Sequence, residues 1–170
     1  MQALMPSLRG LSICVFCGAR NGADPRFVTL ARRTGALIAA SGATLVYGGG
    51  SIGLMGQLAD GALEAGGEVV GVIPRSLLER EVGHAGLSRM DVVEDMQLRK
   101  QRMIAISDAF LTLPGGFGTL DELFEVLTLR QLGEHARPIL LVDDQGYFSP
   151  LMQAMRAIVA NGFAADRDLT

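Results

Sequence analysis

The chain has 170 residues, of which 49% are hydrophobic and only 5% aromatic, with a formal net charge of −3 and a pI near 5.3. A chain of this length is expected to form one domain with a substantial core, and its acidic balance argues against broad nucleic-acid binding, so any anion has to be held locally. Its longest apolar runs are strand-sized, far short of the roughly 20 residues of a membrane span, and Met1 to Gly10 contains no apolar signal-peptide core; a cytoplasmic protein is expected.

Leu11–Phe16 reads as the first strand. Cys14 and Cys17 form a lone Cys-x-x-Cys there, with no second cysteine pair to complete a zinc site. A redox pair belongs at a helix N-terminus rather than in an apolar strand, so both are read as core thiols. Phe27, Leu30, Ala31, Thr34, Leu37 and Ile38 recur at helical spacing and predict a helix from Pro25 to Ala40.

Thr44–Tyr47 is a short strand leading into Gly48-Gly49-Gly50-Ser51-Ile52-Gly53. A helix over Leu54–Ala65 and a strand over Glu68–Ile73 follow. This glycine loop formally satisfies G-x-G-x-x-G. A dinucleotide site, however, needs an acid at the end of the next strand, and Val72-Ile73-Pro74 offers none. The P-loop reading fails as well, because no Gly-Lys-Ser/Thr follows.

The stretch Arg75–Ser88 is less regular. It contains Glu79-Arg80-Glu81-Val82-Gly83-His84, where a glutamate and a histidine three residues apart could approach a metal. No third ligand is apparent, so no metal is expected. Met90–Val93 is a short strand and Met96–Ser107 a helix. Met96, Arg99, Lys100 and Met103 share one helical face, and two basic residues between two methionines suit a phosphoribosyl group beside a flat base. The structural alternative is an ordinary amphipathic helix with an Asp95–Arg99 pair. Lys100 is the only lysine in the chain, which suggests a need for a compact ammonium at this point.

Ala109–Leu113 is a further strand, and Thr119–Leu132 a helix ended by Gly133. Between them lies Pro114-Gly115-Gly116-Phe117-Gly118, a glycine loop opening onto a helix N-terminus. Such a terminus offers free N–H groups and partial positive charge to a phosphate. Thr119-x-x-Glu122 also reads as a capping box, which accounts for Thr119 and Glu122 but leaves the glycines without a reason. A strand over Pro138–Val142 and a helix over Ser149–Ala160 complete the pattern. The alternation predicts an α/β fold: a Rossmann-like, doubly wound parallel sheet with helices on both faces, formed by residues 1–170 as a single domain. Ligands are then expected beyond the carboxyl ends of the strands.

Three segments carry a family resemblance. Pro114-Gly-Gly-Phe-Gly-Thr-Leu-Asp-Glu122, Val46-Tyr-Gly-Gly-Gly-Ser-Ile-Gly-Leu-Met-Gly56 and Met96-x-x-Arg99-Lys100-x-x-Met103 resemble the Lonely Guy (LOG) family of cytokinin riboside 5′-monophosphate phosphoribohydrolases. Glu81-x-x-His84, Gln131-Leu-Gly-x-His135 and Arg137-Pro138 extend the likeness nearly end to end. Gln97, Leu129 and Ala19 stand where such proteins often carry histidine, tryptophan and serine.

The resemblance implies cleavage of the N-glycosidic bond of an N6-modified adenosine 5′-monophosphate, giving free base and ribose 5-phosphate. It implies Arg99 and Glu122 as catalytic residues, with Gly115, Gly116, Gly118 and Thr119 around the phosphate. Met96 and Lys100 would contact the nucleotide, and Gly48, Gly49, Gly50 and Ser51 would cover it from the neighbouring strand. No cofactor is expected. The lysine decarboxylase label often given to the family would require a Schiff-base lysine, for which Lys100 is the single option. The alternative is a nucleotide- or molybdenum-cofactor-binding carrier without turnover. A homodimer is also implied. The predicted helix carries Leu123, Phe124, Val126, Leu127 and Leu129, more apolar surface than one core-facing stripe requires. Nucleic-acid and membrane partners are not expected.

Overall fold

A computed structural model describes residues 7–78 and 82–169 of the chain. Strands β1 (Ser12–Phe16), β2 (Thr44–Tyr47), β3 (Val69–Pro74), β4 (Arg89–Val93), β5 (Ala109–Thr112) and β6 (Ile139–Leu141) alternate with helices α1 (Arg26–Ala40), α2 (Gly53–Glu64), α3 (Arg75–Leu78), α4 (Met96–Ala105), α5 (Phe117–Gln131) and α6 (Ser149–Ala160). The strands form one sheet in the order β4-β3-β2-β1-β5-β6, with every neighbouring pair parallel.

Successive side chains of a strand point to opposite faces, and here the faces carry two separate cores. Val15, Leu45, Tyr47 and Val69 pack on one face under α1 and α2. Cys14, Phe16, Val46, Val70, Val72 and Phe110 pack on the other, against Met103 and Ile104 of α4 and Val126 of α5. The sheet is therefore doubly wound, as the strand composition predicts. Each fully buried aliphatic or aromatic side chain contributes about 1.5–3 kcal/mol, so the strands are held by both covers. Among the described residues no helix is long and apolar enough to cross a membrane.

Phe110 shows how the second core is closed. It is fully buried and stacks on Phe16 at a centroid distance of 6.1 Å. The Arg137 guanidinium covers its ring at 4.9 Å and also donates to the Ser107 carbonyl at 2.8 Å and to the Ile104 carbonyl. A cation thus meets carbonyls at the C-terminal end of α4.

One local expectation is corrected. Helix α5 begins at Phe117, not Thr119. Gly116 is its N-cap, extended at φ −98° and ψ −157°, and no side chain caps it. The Leu120 N–H already bonds to the Gly116 carbonyl at 3.1 Å. Thr119 consequently sits inside the first turn, and the Thr119–Glu122 capping box does not form. Asp95 caps α4 by accepting the Leu98 N–H at 2.8 Å.

The chain order reverses direction across the sheet at β1, whose neighbours are β2 on one side and β5 on the other. The loops leaving β1 and β5 diverge there, and that is where such sheets open a crevice.

Candidate active site

At this crevice the β1 and β5 loops are tied together. The Gly18 N–H donates to the Pro114 carbonyl at 3.2 Å, while the Leu54 N–H of α2 donates to the Gly18 carbonyl at 3.1 Å. Two cavities open beside this junction. One, of about 150 Å³, is lined by Val15, Cys17, Ala19, Gly48, Met55, Leu77, Met96, Arg99, Gly118, Thr119 and Glu122. The other, of about 360 Å³, is lined by Gly18, Ala19, Arg20, Gly22, Phe27, Leu54, Pro114, Gly115, Gly116 and Tyr147. Ala19 borders both, and the start of α5 separates them.

Arg99 and Glu122 enter the smaller cavity from α4 and α5. Arg99 is only 5% exposed. Its Nε donates to the Val72 carbonyl at 3.1 Å and one terminal nitrogen to the Gly48 carbonyl at 2.7 Å. The charge is thus met by carbonyls at the C-terminal ends of β3 and β2, in charge-assisted bonds stronger than neutral ones. Met96 and Met55 place their sulfurs 3.6 and 3.9 Å from the guanidinium. Those two carbonyls fix the arginine from behind, next to the cavity.

Gly48 is glycine for that reason. A Cβ there would lie 2.2 Å from an Arg99 terminal nitrogen and 2.9 Å from the Met55 sulfur. The rest of that loop is consumed by the protein itself. Gly49 has φ +78°, which a side chain rarely adopts, and packs against Ile73 and Val72. Gly50 forms an isolated bridge with Gly83, the Ser51 N–H donates to the Val82 carbonyl, and the His84 N–H donates to the Gly49 carbonyl. Gly49, Gly50 and Ser51, expected to cover the nucleotide, line neither cavity and instead dock the 82–84 segment.

The Pro114–Gly118 loop is different. Gly115 must be glycine, because a Cβ would sit 2.1 Å from the Thr119 hydroxyl and 2.9 Å from the Gly18 nitrogen. A Cβ on Gly116 or Gly118 would meet nothing within 4 Å. Both glycines face open space at a helix N-terminus, where the first N–H groups lack intrahelical partners. Thr119, at 3% exposure, lies just beneath them.

Lys100 departs from expectation. It lines neither cavity; its ammonium lies 3.0 Å from Asp121 Oδ2 and 2.5 Å from Glu125 Oε2. Burial alone would lower its pKa, but hydrogen bonds and charge from Glu125 and Asp121 outweigh it and hold the group above the ordinary lysine value. This cluster joins α4 to α5 one residue along from each of Arg99 and Glu122. Met103 of the same predicted face is in the core, 1% exposed.

The thiols behave as core groups. Both cysteines are free and buried. Burial first, then the Glu122 carboxylate, push both thiols up, while Arg99 pulls them down. That coupling places both thiols within electrostatic reach of the arginine and the glutamate. Glu79 and Glu81 lie outside the described residues; His84 is hydrogen-bonded to Asp60 at 2.9 Å. Among the described residues no cluster of metal-ligating side chains occurs. Met55 and Leu77, not singled out from sequence, join the cavity wall, as does Cys17, read from sequence only as a core thiol. Met55 could have been found from its place directly behind the first glycine loop. Leu77 carried no signal.

The chain is similar to known proteins over most of its length. A family profile described as "Possible lysine decarboxylase" matches residues 55–170. The cytokinin riboside 5′-monophosphate phosphoribohydrolase of Rhodococcoides fascians is 47% identical over 153 residues, covering 89% of this chain and 77% of that protein. One from Arabidopsis thaliana is 42% identical over 151 residues, covering 89% of this chain and 71% of the relative. Among solved structures, the molybdenum cofactor binding protein of Rippkaea orientalis superposes with a TM-score of 0.69 at 26% identity, over 91% of this chain and 87% of its own. The molybdenum cofactor carrier protein of Chlamydomonas reinhardtii gives 0.65 at 22% identity, over 88% and 86%, a likeness of fold. On this sequence identity, and with the glycine loop, Arg99 and Glu122 at one crevice, the chain belongs to the LOG family of cytokinin riboside 5′-monophosphate phosphoribohydrolases.

Proposed function

We propose that this protein hydrolyses the N-glycosidic bond of an N6-modified adenosine 5′-monophosphate, releasing the free base and ribose 5-phosphate. The observation that carries this reading is the meeting of Arg99 and Glu122 with Gly118 and Thr119 of the first turn of α5 at one cavity, with Gly115 and Gly116 on the adjoining one, in a chain 47% identical to a protein with that name. The phosphate would lie against the amides around Gly116 and Gly118, with Thr119 beside it and Gly115 allowing the close turn. Glu122 would face the ribose, since an anion beside the phosphate would be repelled. As the C–N bond breaks, positive charge develops on the ribose ring. A carboxylate stabilises that charge or orients the attacking water, and a preorganised group of this kind contributes about a hundredfold or more in rate.

Arg99 brings a guanidinium to the cavity, and its contribution is electrostatic, to the departing base or to the placing of Glu122. Met96 would lie against the base, and Gly48 lets the arginine pass. Lys100 would hold α4 and α5 in register rather than touch substrate. Among the described residues no helix is long and apolar enough to span a membrane, and a cytoplasmic location is the proposal that fits an intracellular nucleotide substrate. Pyridoxal phosphate does not fit: the single lysine is engaged by two carboxylates and held charged, the reverse of what a Schiff-base lysine requires.

A carrier reading draws on the structural match to the molybdenum cofactor binding protein. One experiment separates the two: incubation with AMP and isopentenyl-AMP, followed by chromatography for free base. Base released from either supports the hydrolase; nucleotide bound with no base released supports the carrier. A homodimer is proposed as well, motivated by Phe124 and Ile158, 39% and 42% exposed along an apolar groove between α5 and α6. A monomer mass in light scattering would overturn it.

A further inference from the structure

The glycine loop before α5 is held from outside its own strand and helix. After β6 the chain makes a single turn, Asp144–Gly146, in which Gln145 has φ 52° and Gly146 φ 82°. A left-handed residue bearing a side chain persists only where its surroundings impose it. Here Arg26 supplies the constraint: its Nε lies 3.3 Å from Asp144 Oδ2, and the same guanidinium bonds to the Gln145 side chain. Asp143 then accepts the Phe148 N–H at 2.7 Å.

This turn delivers Tyr147 to the loop. Its ring packs edge-on against Phe27 at 5.5 Å and against Phe148 at 4.9 Å. Its hydroxyl donates to the Gly115 carbonyl at 2.6 Å. The bond has a directional consequence, because the Gly115 C=O and the Gly116 N–H belong to one planar trans peptide and point in opposite directions. Fixing the oxygen fixes the amide hydrogen. Gly116 is the N-cap of α5, so its N–H has no partner within the helix. A donor on the carbonyl also polarises the same peptide.

We propose that Tyr147 is a positioning residue for phosphate: its hydroxyl sets the Gly115–Gly116 peptide so that the Gly116 amide meets the phosphate of the substrate. This rests on the hydrolase reading and sharpens its phosphate subsite. Removing the hydroxyl weakens what carries a phosphate and leaves the base untouched, which a general packing role would not do.

The test is Tyr147→Phe in the full chain, which keeps the ring against Phe27 and Phe148. Affinities for ribose 5-phosphate and for adenine are measured by calorimetry, and kcat and KM with AMP. The expected result is a three- to tenfold weaker affinity for ribose 5-phosphate, about the value of one neutral hydrogen bond. KM for AMP rises by a similar factor, kcat stays within about twofold, and adenine affinity is unchanged. Unchanged ribose 5-phosphate affinity overturns the proposal, and so does equal weakening for adenine and ribose 5-phosphate. A wild-type protein that neither hydrolyses AMP nor binds ribose 5-phosphate fails the hydrolase reading itself. Wild-type turnover with an indifferent Tyr147→Phe variant fails only the role given to Tyr147.

Discussion

Two glycine loops follow two parallel strands of one sheet, and they do opposite things. In the Gly48–Gly53 loop the space a side chain would occupy is already filled: by Arg99 at Gly48, by Ile73 at Gly49, and by the Ala19 backbone at Gly53, 2.3 Å from its would-be Cβ. In the Pro114–Gly118 loop, Gly115 is packed the same way, but Gly116 and Gly118 face open space. The first loop is glycine-rich to let the protein approach itself. The second leaves room for something else. Glycine content and spacing do not separate these cases; the contents of the missing Cβ position do.

Substitutions distinguish the two loops. The largest effect is expected at the cavity both loops border: Glu122→Gln should lower kcat with AMP by about a hundredfold or more, read by ribose 5-phosphate release. Gly48→Ala comes next. Its Cβ would stand 2.2 Å from an Arg99 nitrogen held to the Gly48 carbonyl. It should lower Tm by about 3–10 °C and displace the arginine, so activity falls with stability. Gly116→Ala should separate the two. Its backbone is extended and its surroundings open, so Tm should stay within about 2 °C while KM for AMP rises roughly tenfold. A stable, fully active Gly48→Ala variant, or a destabilised Gly116→Ala variant, would erase the distinction.

Smaller effects are expected at Lys100 and His135. Lys100→Met should destabilise by about 1–2 kcal/mol in chemical denaturation, because Lys100 and Glu125 are largely shielded from solvent at 13% and 19% side-chain exposure while Asp121 is open. A loss of AMP affinity at full stability would instead return Lys100 to the nucleotide. Smallest is a pH effect at His135. Burial first, then Arg137 and Arg130, hold it below the usual histidine range against the opposing Val126 carbonyl. The fold favours its neutral form, so the stability it contributes is present above about pH 6.5 and declines as pH falls toward the depressed folded value. His135→Asn should flatten that slope in a Tm–pH series; an unchanged slope would assign the acid sensitivity elsewhere.

Much of the fold is legible locally. Thr44–Tyr47 and Ser149–Ala160 match their expected bounds, since flanking glycines, Pro150 and Asn161-Gly162 punctuate them. The site was legible only where chemistry sat in one segment. Arg99 and Glu122 stood out by type and position, but an arginine is ordinarily solvent-facing. Nothing local announces that Arg99 binds a carbonyl 51 residues away. The same distance effect conceals the close approach of Arg99 to Gly48 and the pairing of Lys100 with α5. Tyr147 could not be found, because the bond that matters reaches back 32 residues. The start of α5 is not legible because Thr-x-x-Glu is a strong capping signal, whereas the structure uses Gly116 as N-cap and buries Thr119 within the first turn.

The most direct test of the hydrolase account is to measure ribose 5-phosphate binding and AMP turnover together in Glu122→Gln and wild type. The account predicts that binding stays within about threefold while turnover falls a hundredfold or more. Turnover within threefold of wild type would contradict it, as would binding lost in step with activity.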